Sequence, residues 1–306
     1  MSEFKKYQHI ERYGTSEVEG IENGMCYIFP KLDGTNGSIW IDDGTMQFGS
    51  RKRQLHYGSD NAGFWSTLNN DESLRQFFNK WPKARLFGEW LVPHSLKTYR
   101  DDAWRKFYVF DVTVDLPEEK PSGEKFEYIS YESYVRMLEE FEIDYIPCLA
   151  KIENPTEEML LQQLPNTHFL IKDGQGQGEG IVIKNYDFVN RYGRITWAKI
   201  VTNEFKEKHQ RKEGPQVKSC KKGVEENIVE EYITSSLIEK VFSIIVIERE
   251  GWNSKYIPQL LSTVYYDLIK EDSWNFIKKY KNPRIDFKRL YNLIVQKVKK
   301  TKPELF

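Results

Sequence analysis

Cysteine is scarce in this sequence, and its scarcity limits the kinds of site that the chain can build. Only three cysteines occur in 306 residues, and Cys26, Cys148 and Cys220 are far apart. Their spacing matches neither a zinc-binding pattern nor a set of disulfides. A fold held by structural zinc or by disulfides is therefore excluded, and a reducing compartment, the cytoplasm, is expected.

The sequence also lacks long hydrophobic runs and a large net charge. The longest strongly apolar stretch, residues 241–247, is too short to cross a membrane, and the N-terminus lacks the apolar core of a signal peptide. The formal net charge is −1, so a site for a polyanion must be a local basic patch. We expect a globular protein that has no membrane partner.

Hydrophobic residues make up 39% of the chain and aromatic residues 14%, which is enough to build a sizeable core. Helices are predicted at residues 61–79, 130–141 and 156–164. Asp42-Asp43-Gly44 predicts a hairpin turn, and short apolar runs predict strands at 26–30, 37–41, 45–48, 85–91, 106–112 and 180–184. The strand spacing is not that of βαβ units, so the pattern predicts an α+β fold of mainly antiparallel sheets with flanking helices.

The composition changes after residue 205. Residues 206–223 are polar and rich in lysine and arginine, which predicts a basic linker. From residue 224 onward, apolar residues recur at steps of three and four, as in helices. The sequence therefore predicts a domain at 1–205, a linker at 206–223 and a small all-helical domain at 224–306.

Lys31 follows an apolar run and begins the sequence Lys31-Leu32-Asp33-Gly34. An uncharged lysine amine can attack phosphorus, but an ordinary pKa of about 10.4 keeps the amine protonated at neutral pH. Burial or neighbouring cations would favour the neutral form. Gly34 would let a nucleotide approach the backbone closely. The alternative is a hairpin turn with a surface lysine.

Three further segments contain residues suited to nucleotide binding. Arg51 lies in a basic run and suits a phosphate, although such runs are also common on solvated loops. Glu89 lies among apolar residues, where a ribose hydroxyl, a metal or a salt bridge would satisfy its carboxylate. Phe110 lies in an aromatic strand, where its ring either stacks on a purine or packs in a core.

Two later strands contain charged residues suited to a phosphate site. Glu179 precedes the apolar strand 180–184 and has the oxygen ligands that Mg²⁺ prefers. Lys184 ends that strand and would contact the α-phosphate. Lys199 is a lone lysine in the predicted strand 195–201, where a lysine more often points to solvent.

The order of these segments is more specific than any one of them. Over residues 25–201 the chain resembles the covalent nucleotidyltransferase superfamily of polynucleotide ligases and mRNA capping enzymes. The resemblance implies that the first domain is an adenylyltransferase and that Lys31, in one motif with Asp33 and Gly34, receives AMP from ATP. It implies that Arg51 contacts the phosphate or another part of the nucleotide, Glu89 the ribose and Phe110 the base. It also implies that Glu179 is associated with the metal and that Lys184 and Lys199 lie around the α-phosphate.

One position departs from the superfamily. Its last motif is often Lys-x-Lys, and here Trp197 takes the place of the first lysine. Either Lys199 acts alone or another cation, such as Arg194, replaces the missing one.

The helical C-terminal domain is similar to that of ATP-dependent RNA ligases of the RNA ligase 2 type, whereas DNA ligases and capping enzymes usually carry a β-barrel there. The resemblance implies ATP and Mg²⁺ or Mn²⁺ as cofactors, RNA with 5′-phosphate and 3′-hydroxyl ends as substrate, and a monomer. The alternatives are a DNA ligase, a guanylyltransferase, or a catalytically silent relative that binds nucleic acid. The physiological RNA, and the choice between single strands and nicked duplexes, stay open.

Overall fold

The computed structural model describes residues 3–92, 99–120, 123, 125–174, 177–201 and 223–306. The chain divides into two compact units, Met1–Glu213 and Gly214–Phe306. Of the predicted linker, only Gly223 belongs to the described residues. Within those residues, no helix has the length and apolar character needed to span a membrane.

The strands of the first unit are β1 Glu11–Arg12, β2 Met25–Lys31, β3 Thr35–Asp42, β4 Thr45–Ser50, β5 Gln54–Leu55, β6 Ala84–Leu91, β7 Lys106–Asp115, β8 Phe126–Tyr128, β9 Ala150–Glu153, β10 Gly180–Lys184 and β11 Ala198–Val201. In the described part of the unit they form two sheets, ordered β1-β11-β10-β2-β9 and β5-β4-β3-β6-β7-β8. Neighbouring strands are antiparallel except for β1 and β11, which are parallel. The predicted fold of antiparallel sheets is confirmed.

The helices of the first unit are α1 Phe64–Leu68, α2 Glu72–Lys80, α3 Tyr131–Glu139 and α4 Glu157–Leu161. The single helix predicted at 61–79 is wrong, since α1 and α2 are separate. Asp71 caps the second of them because its side chain accepts a hydrogen bond from the backbone N–H of Leu74.

The predicted hairpin turn is confirmed between β3 and β4. Asp42 pairs with Thr45, which leaves Asp43 and Gly44 as a two-residue loop with φ angles of 49° and 73°. Two consecutive positive φ angles are what the favoured two-residue hairpin turn requires, and Asp-Gly adopts them readily.

The first sheet separates two apolar layers. Ile28 and Ile183 face one layer, while Phe29 and Val182 face a second layer that also contains Phe87 of the other sheet. Because side chains alternate along a strand, residues two positions apart share a face. The nucleophile predicted at the end of β2 therefore continues the face that packs toward the second sheet.

The second unit is helical, as predicted for the C-terminal region. Its helices are α5 Val224–Tyr232, α6 Ser235–Glu248, α7 Ile257–Lys279 and α8 Phe287–Thr301. They surround an apolar core of their own, to which each helix contributes, including Ile228, Val241, Leu268 and Ile294.

Candidate active site

Lys31 and Glu179 form an ion pair where β2 ends and β10 begins, in the middle of the first sheet. Lys31 is the last residue of β2 and pairs with Gly180 of β10, so that Glu179 is brought next to the lysine. Lys31 Nζ lies 2.6 Å from Glu179 Oε2, with the two side chains 22% and 20% exposed. The amine is thus half-buried, close to one carboxylate and reachable from solvent.

Glu89 of β6 is held beside this pair by the turn that follows β2. The backbone N–H of Gly34 donates a 2.9 Å hydrogen bond to Glu89 Oε1. A Cβ atom at Gly34 would lie 2.6 Å from the carbonyl oxygen of Trp90. Glycine is therefore needed at this position for close approach, because any side chain would push the turn away from the second sheet.

The carboxyl of Glu89 titrates far from its ordinary range. Burial raises its pKa from 4.5 to about 7. The Lys31 ammonium and the Gly34 N–H lower the pKa, and the Asp33 and Glu179 carboxylates raise it. The five residues therefore share one electrostatic environment, in which Glu89 changes its charge near neutral pH.

Tyr99 supports the turn and belongs to none of the motifs found in the sequence. Its hydroxyl accepts a 2.8 Å hydrogen bond from the backbone N–H of Asp33, and its side chain is buried. Burial raises the pKa of the Tyr99 hydroxyl above its ordinary value, which keeps the hydroxyl neutral. Nothing in the local sequence marks this residue, since the contact joins positions 66 residues apart.

A second polar cluster is centred on Asp111 of β7, whose side chain is fully buried. Lys184 Nζ donates to Asp111 Oδ1 at 2.7 Å and to the carbonyl oxygen of Phe110 at 2.5 Å. Trp197 Nε1 donates to Asp111 Oδ2 at 3.1 Å, and the Tyr7 hydroxyl donates to the same oxygen. Asp111 thus compensates the charge of a lysine that is only 2% exposed.

Burial lowers the pKa of Lys184, and the Asp111 carboxylate opposes that shift. The contact expected between Lys184 and a phosphate stays a prediction, and it would require this pair to open. Trp197, which replaces the expected lysine, is fully buried and contacts the same carboxylate. At this position the chain therefore has a neutral indole N–H donor in place of a lysine side chain.

Phe110 is the extra residue of a β-bulge. Phe87 pairs with Asp111 and Gly88 pairs with Val109, so Phe110 has no partner across the ladder. The bulge leaves its carbonyl oxygen available to Lys184. Its half-buried ring packs against Tyr7, with centroids 4.9 Å apart.

The other predicted cations differ in where they lie. Lys199 of β11 pairs with Val182 and therefore shares the face of Lys31, where it is half-buried. Arg51 is exposed after β4, and its Nη2 lies 3.1 Å from His9 Nδ1. Arg194 is exposed and lines a cavity of about 590 Å³ together with His9.

The carboxylates near Lys31 suit a hard cation. Within the described ranges, no group of three or more His, Cys, Asp or Glu side chains is arranged to hold a metal. Mg²⁺, however, is usually held by only one or two carboxylates together with substrate phosphates and water. Glu179, whose carboxylate pairs with the Lys31 ammonium, has the oxygen ligands for that role.

The sequence places this fold and site in a known family. A sequence profile of the RNA ligase family matches residues 26–201, more than half of the chain, and the chain belongs to that family. No curated protein is similar enough to the chain to count as a match.

Solved structures of an RNA ligase from Naegleria gruberi are similar in fold. A glutamate-to-alanine variant with ATP and Mn is 19% identical, with a TM-score of 0.50, and the match covers 68% of this chain and 58% of that one. A lysine-to-alanine variant in its apo form is 21% identical, with a TM-score of 0.49 and coverages of 67% and 58%. This chain therefore spans less than two thirds of the length of those structures.

Proposed function

We propose that this protein is an ATP-dependent RNA ligase that joins 3′-hydroxyl and 5′-phosphate ends through lysyl-AMP and 5′-adenylylated RNA. The observation that supports the proposal is the pairing of Lys31 with Glu179 beside Glu89, within the residues that match the RNA ligase family. We expect the protein to act as a monomer.

In the first step, Lys31 Nζ attacks the α-phosphorus of ATP. A nitrogen–phosphorus bond forms, the bond to the bridging oxygen breaks, and pyrophosphate leaves with the electron pair of that bond. The amine must lose a proton to become a nucleophile. That proton passes to solvent, which reaches the Lys31 side chain because it is 22% exposed, and Glu179, 2.6 Å from Nζ, orients the amine until the metal and ATP bind.

The next two steps transfer and then release AMP. A 5′-phosphate oxygen of RNA attacks the phosphorus of lysyl-AMP, the nitrogen–phosphorus bond breaks, and the lysine amine is regenerated. The 3′-hydroxyl of the other end then loses its proton and attacks the activated 5′-phosphorus, and AMP leaves. In all three steps the protein contributes mainly by positioning the groups and compensating their charge.

The remaining residues are proposed to bind the nucleotide. Glu89 would accept a hydrogen bond from a ribose hydroxyl, and Phe110 would stack on the base once the ring of Tyr7 moves. Arg51, Lys199 and Lys184 would contact phosphates, with Asp33 completing the turn beside Lys31. Glu179 would hold Mg²⁺ or Mn²⁺, which polarises phosphoryl oxygens when it is bound.

The experiment that tests the nucleophile is mass spectrometry of the purified protein after incubation with ATP and Mg²⁺. We expect a gain equal to AMP on a peptide that contains Lys31, and no gain with GTP. Lys31→Ala should abolish the adduct and cost less than about 1 kcal/mol of stability, because its ion pair is partly solvated. Lys52→Ala, at an exposed lysine, serves as the control.

Joining is tested on nicked duplexes that differ only in an RNA or a DNA 3′-end. RNA ends should be sealed, and Lys31→Ala should seal neither. A full AMP adduct in Lys31→Ala would move the nucleophile to another residue, and preferential sealing of DNA ends would make the protein a DNA ligase.

A further inference from the structure

Helix α7 has two opposite faces, each defined by residues at every fourth position. The buried face consists of Leu260, Val264, Leu268, Asp272 and Phe276. The exposed face, which we call the α7 stripe, consists of Tyr266, Lys270, Trp274 and Lys278. Each stripe residue follows a buried residue by two positions, a rotation of about 200° around the helix. The stripe therefore points directly away from the core of the second unit.

The α7 stripe alternates aromatic and cationic side chains. Tyr266 is 64% exposed and Trp274 is 58% exposed. Single exposed apolar residues are common on protein surfaces. Here, however, two large aromatic residues are interleaved with lysines, and successive members lie one helical turn, about 6 Å, apart. The stripe thus presents two ring surfaces and two positive charges in one row.

The two lysines of the stripe differ from the lysine that follows them. Lys279 forms an ion pair with Glu231. In the described part of the chain, no carboxylate lies within ion-pair distance of Lys270 or Lys278. Their charges are therefore available to an anionic ligand.

We propose that the α7 stripe binds a single-stranded segment of the RNA substrate, with bases stacked on Tyr266 and Trp274 and phosphates paired with Lys270 and Lys278. Aromatic platforms next to cations are the usual means of binding single strands without reading their sequence. The two positive charges of the stripe disfavour a second copy of the chain as the occupant, because two such faces would bring lysines together.

The inference rests on the proposed function, because RNA is the substrate of an RNA ligase and is therefore the anionic ligand expected at this helix. It also extends that function, because α7 lies outside residues 26–201, which match the RNA ligase family. The catalytic unit would act on the ends, and the α7 stripe would hold the strand that leads to them.

The first test measures the affinity of the full-length protein for labelled single-stranded RNA by fluorescence anisotropy, without ATP. Tyr266→Ala combined with Trp274→Ala should weaken binding by about tenfold or more, since each ring contributes to stacking. Phe287→Ala, which removes a 51% exposed ring outside the stripe, should change binding by less than about twofold. Equal binding by all three proteins would overturn the proposal.

The second test separates the stripe from general charge. Lys270→Glu combined with Lys278→Glu should weaken binding. It should also reduce the slope of the logarithm of the binding constant against the logarithm of the salt concentration by the amount that corresponds to about two phosphate contacts. Lys288→Glu combined with Lys300→Glu changes the net charge equally at exposed sites of α8 and should leave that salt dependence nearly unchanged. Equal losses in the two double variants would overturn the proposal.

Two further measurements separate this proposal from others. The AMP adduct should form normally in every stripe variant. If the unaltered protein formed no adduct, the proposed function would be contradicted. The anisotropy measurements would still show whether the stripe binds RNA. Analytical ultracentrifugation should show no self-association. A dimer that disappears in the double aromatic variant, with RNA binding unchanged, would assign the stripe to a second copy and overturn the proposal.

Discussion

At the residue scale, the raised pKa of Glu89 makes the site sensitive to pH. Because the pKa rises from 4.5 in the unfolded chain to about 7 in the folded protein, folding takes up a proton between these values. The contribution of Glu89 to stability is therefore full below pH 4.5 and is lost as the pH rises through 7. Relative to Glu89→Gln, the wild type should lose stability between pH 5 and pH 8 in urea unfolding.

The titration of Glu89 can also be followed directly. Carbon-13 NMR of the glutamate side chains should show one carboxyl that titrates near pH 7 and is missing in Glu89→Gln. Glu127→Gln, in which a glutamate of β8 is replaced, should leave that resonance in place. The assigned pKa would be contradicted if every glutamate carboxyl titrated below about pH 5.5, close to the ordinary range.

The buried pair of Lys184 and Asp111 leads to a second prediction. Asp111→Asn leaves the Lys184 charge without a partner in the interior and should destabilise the protein by about 3–5 kcal/mol. Asp111→Asn combined with Lys184→Met should cost less than the sum of the two single changes, because neither charge then remains. Chemical unfolding of the three variants measures both effects.

The control for this pair is an exposed one. Lys125 and Glu119 are 3.6 Å apart with side chains 67% and 53% exposed, so Lys125→Met should change stability by less than about 0.5 kcal/mol. Additive losses at Asp111 and Lys184 would mean that the two residues contribute independently, against the 2.7 Å contact between them.

At the element scale, the predictable parts of the fold are those whose pattern is local. The predicted strand at 180–184 is confirmed to the residue, because it is an uninterrupted apolar run. β1 and β9 were not predicted, since segments of two and four residues are too short for a period to be recognised in the sequence. The bulge at Phe110 was missed as well, because it depends on pairing with β6.

The candidate site also has a part that the sequence predicts and a part that only the fold produces. The sequence order suggested Lys31, Glu89 and Glu179, but their meeting depends on strand pairing between residues as far as 148 positions apart. The pairing of Lys184 with Asp111 had no local signal either, because each residue reads as an ordinary strand position. Residue types that suit a chemistry can thus be found from sequence, while their partners depend on the tertiary fold.

Gly180 shows how a strand can require glycine with no unusual backbone angle. It lies between β2 and β11, and a Cβ there would be 2.1 Å from the carbonyl oxygen of Ile200. Gly180→Ala should therefore shift the strand that carries Glu179, destabilise the protein by at least about 1–3 kcal/mol and reduce the AMP adduct. Thermal unfolding and mass spectrometry measure the two effects.

Gly58→Ala is the matched control for this prediction. A Cβ at Gly58 would lie 3.6 Å from His56 Cε1, an ordinary contact, so the variant should keep wild-type stability and adduct formation. A Gly180→Ala protein as stable as the Gly58→Ala protein would show that the strands can separate without cost.

At the scale of the whole molecule, the two compact units have separate cores. The core of the helical unit contains residues from 228 to 298 and none from the first unit. Lys302 near the end of the chain pairs with Glu239 at 2.7 Å within that unit. Separate cores make separate unfolding transitions the expected result of calorimetry.

The separate cores also predict how the reaction divides between the units. Deletion of residues 224–306 should spare formation of the AMP adduct more than it spares joining of RNA, because Lys31, Glu89 and Glu179 all lie in the first unit. Adduct yield by mass spectrometry and sealing of a preadenylylated RNA measure the two steps separately.

Circular dichroism of the truncated protein controls for its folding, and the full-length Tyr266→Ala, Trp274→Ala variant controls for the loss of the α7 stripe alone. If the truncated protein is folded and loses both steps equally, the helical unit is needed to build the adenylylation site, and the assignment of RNA holding to that unit fails.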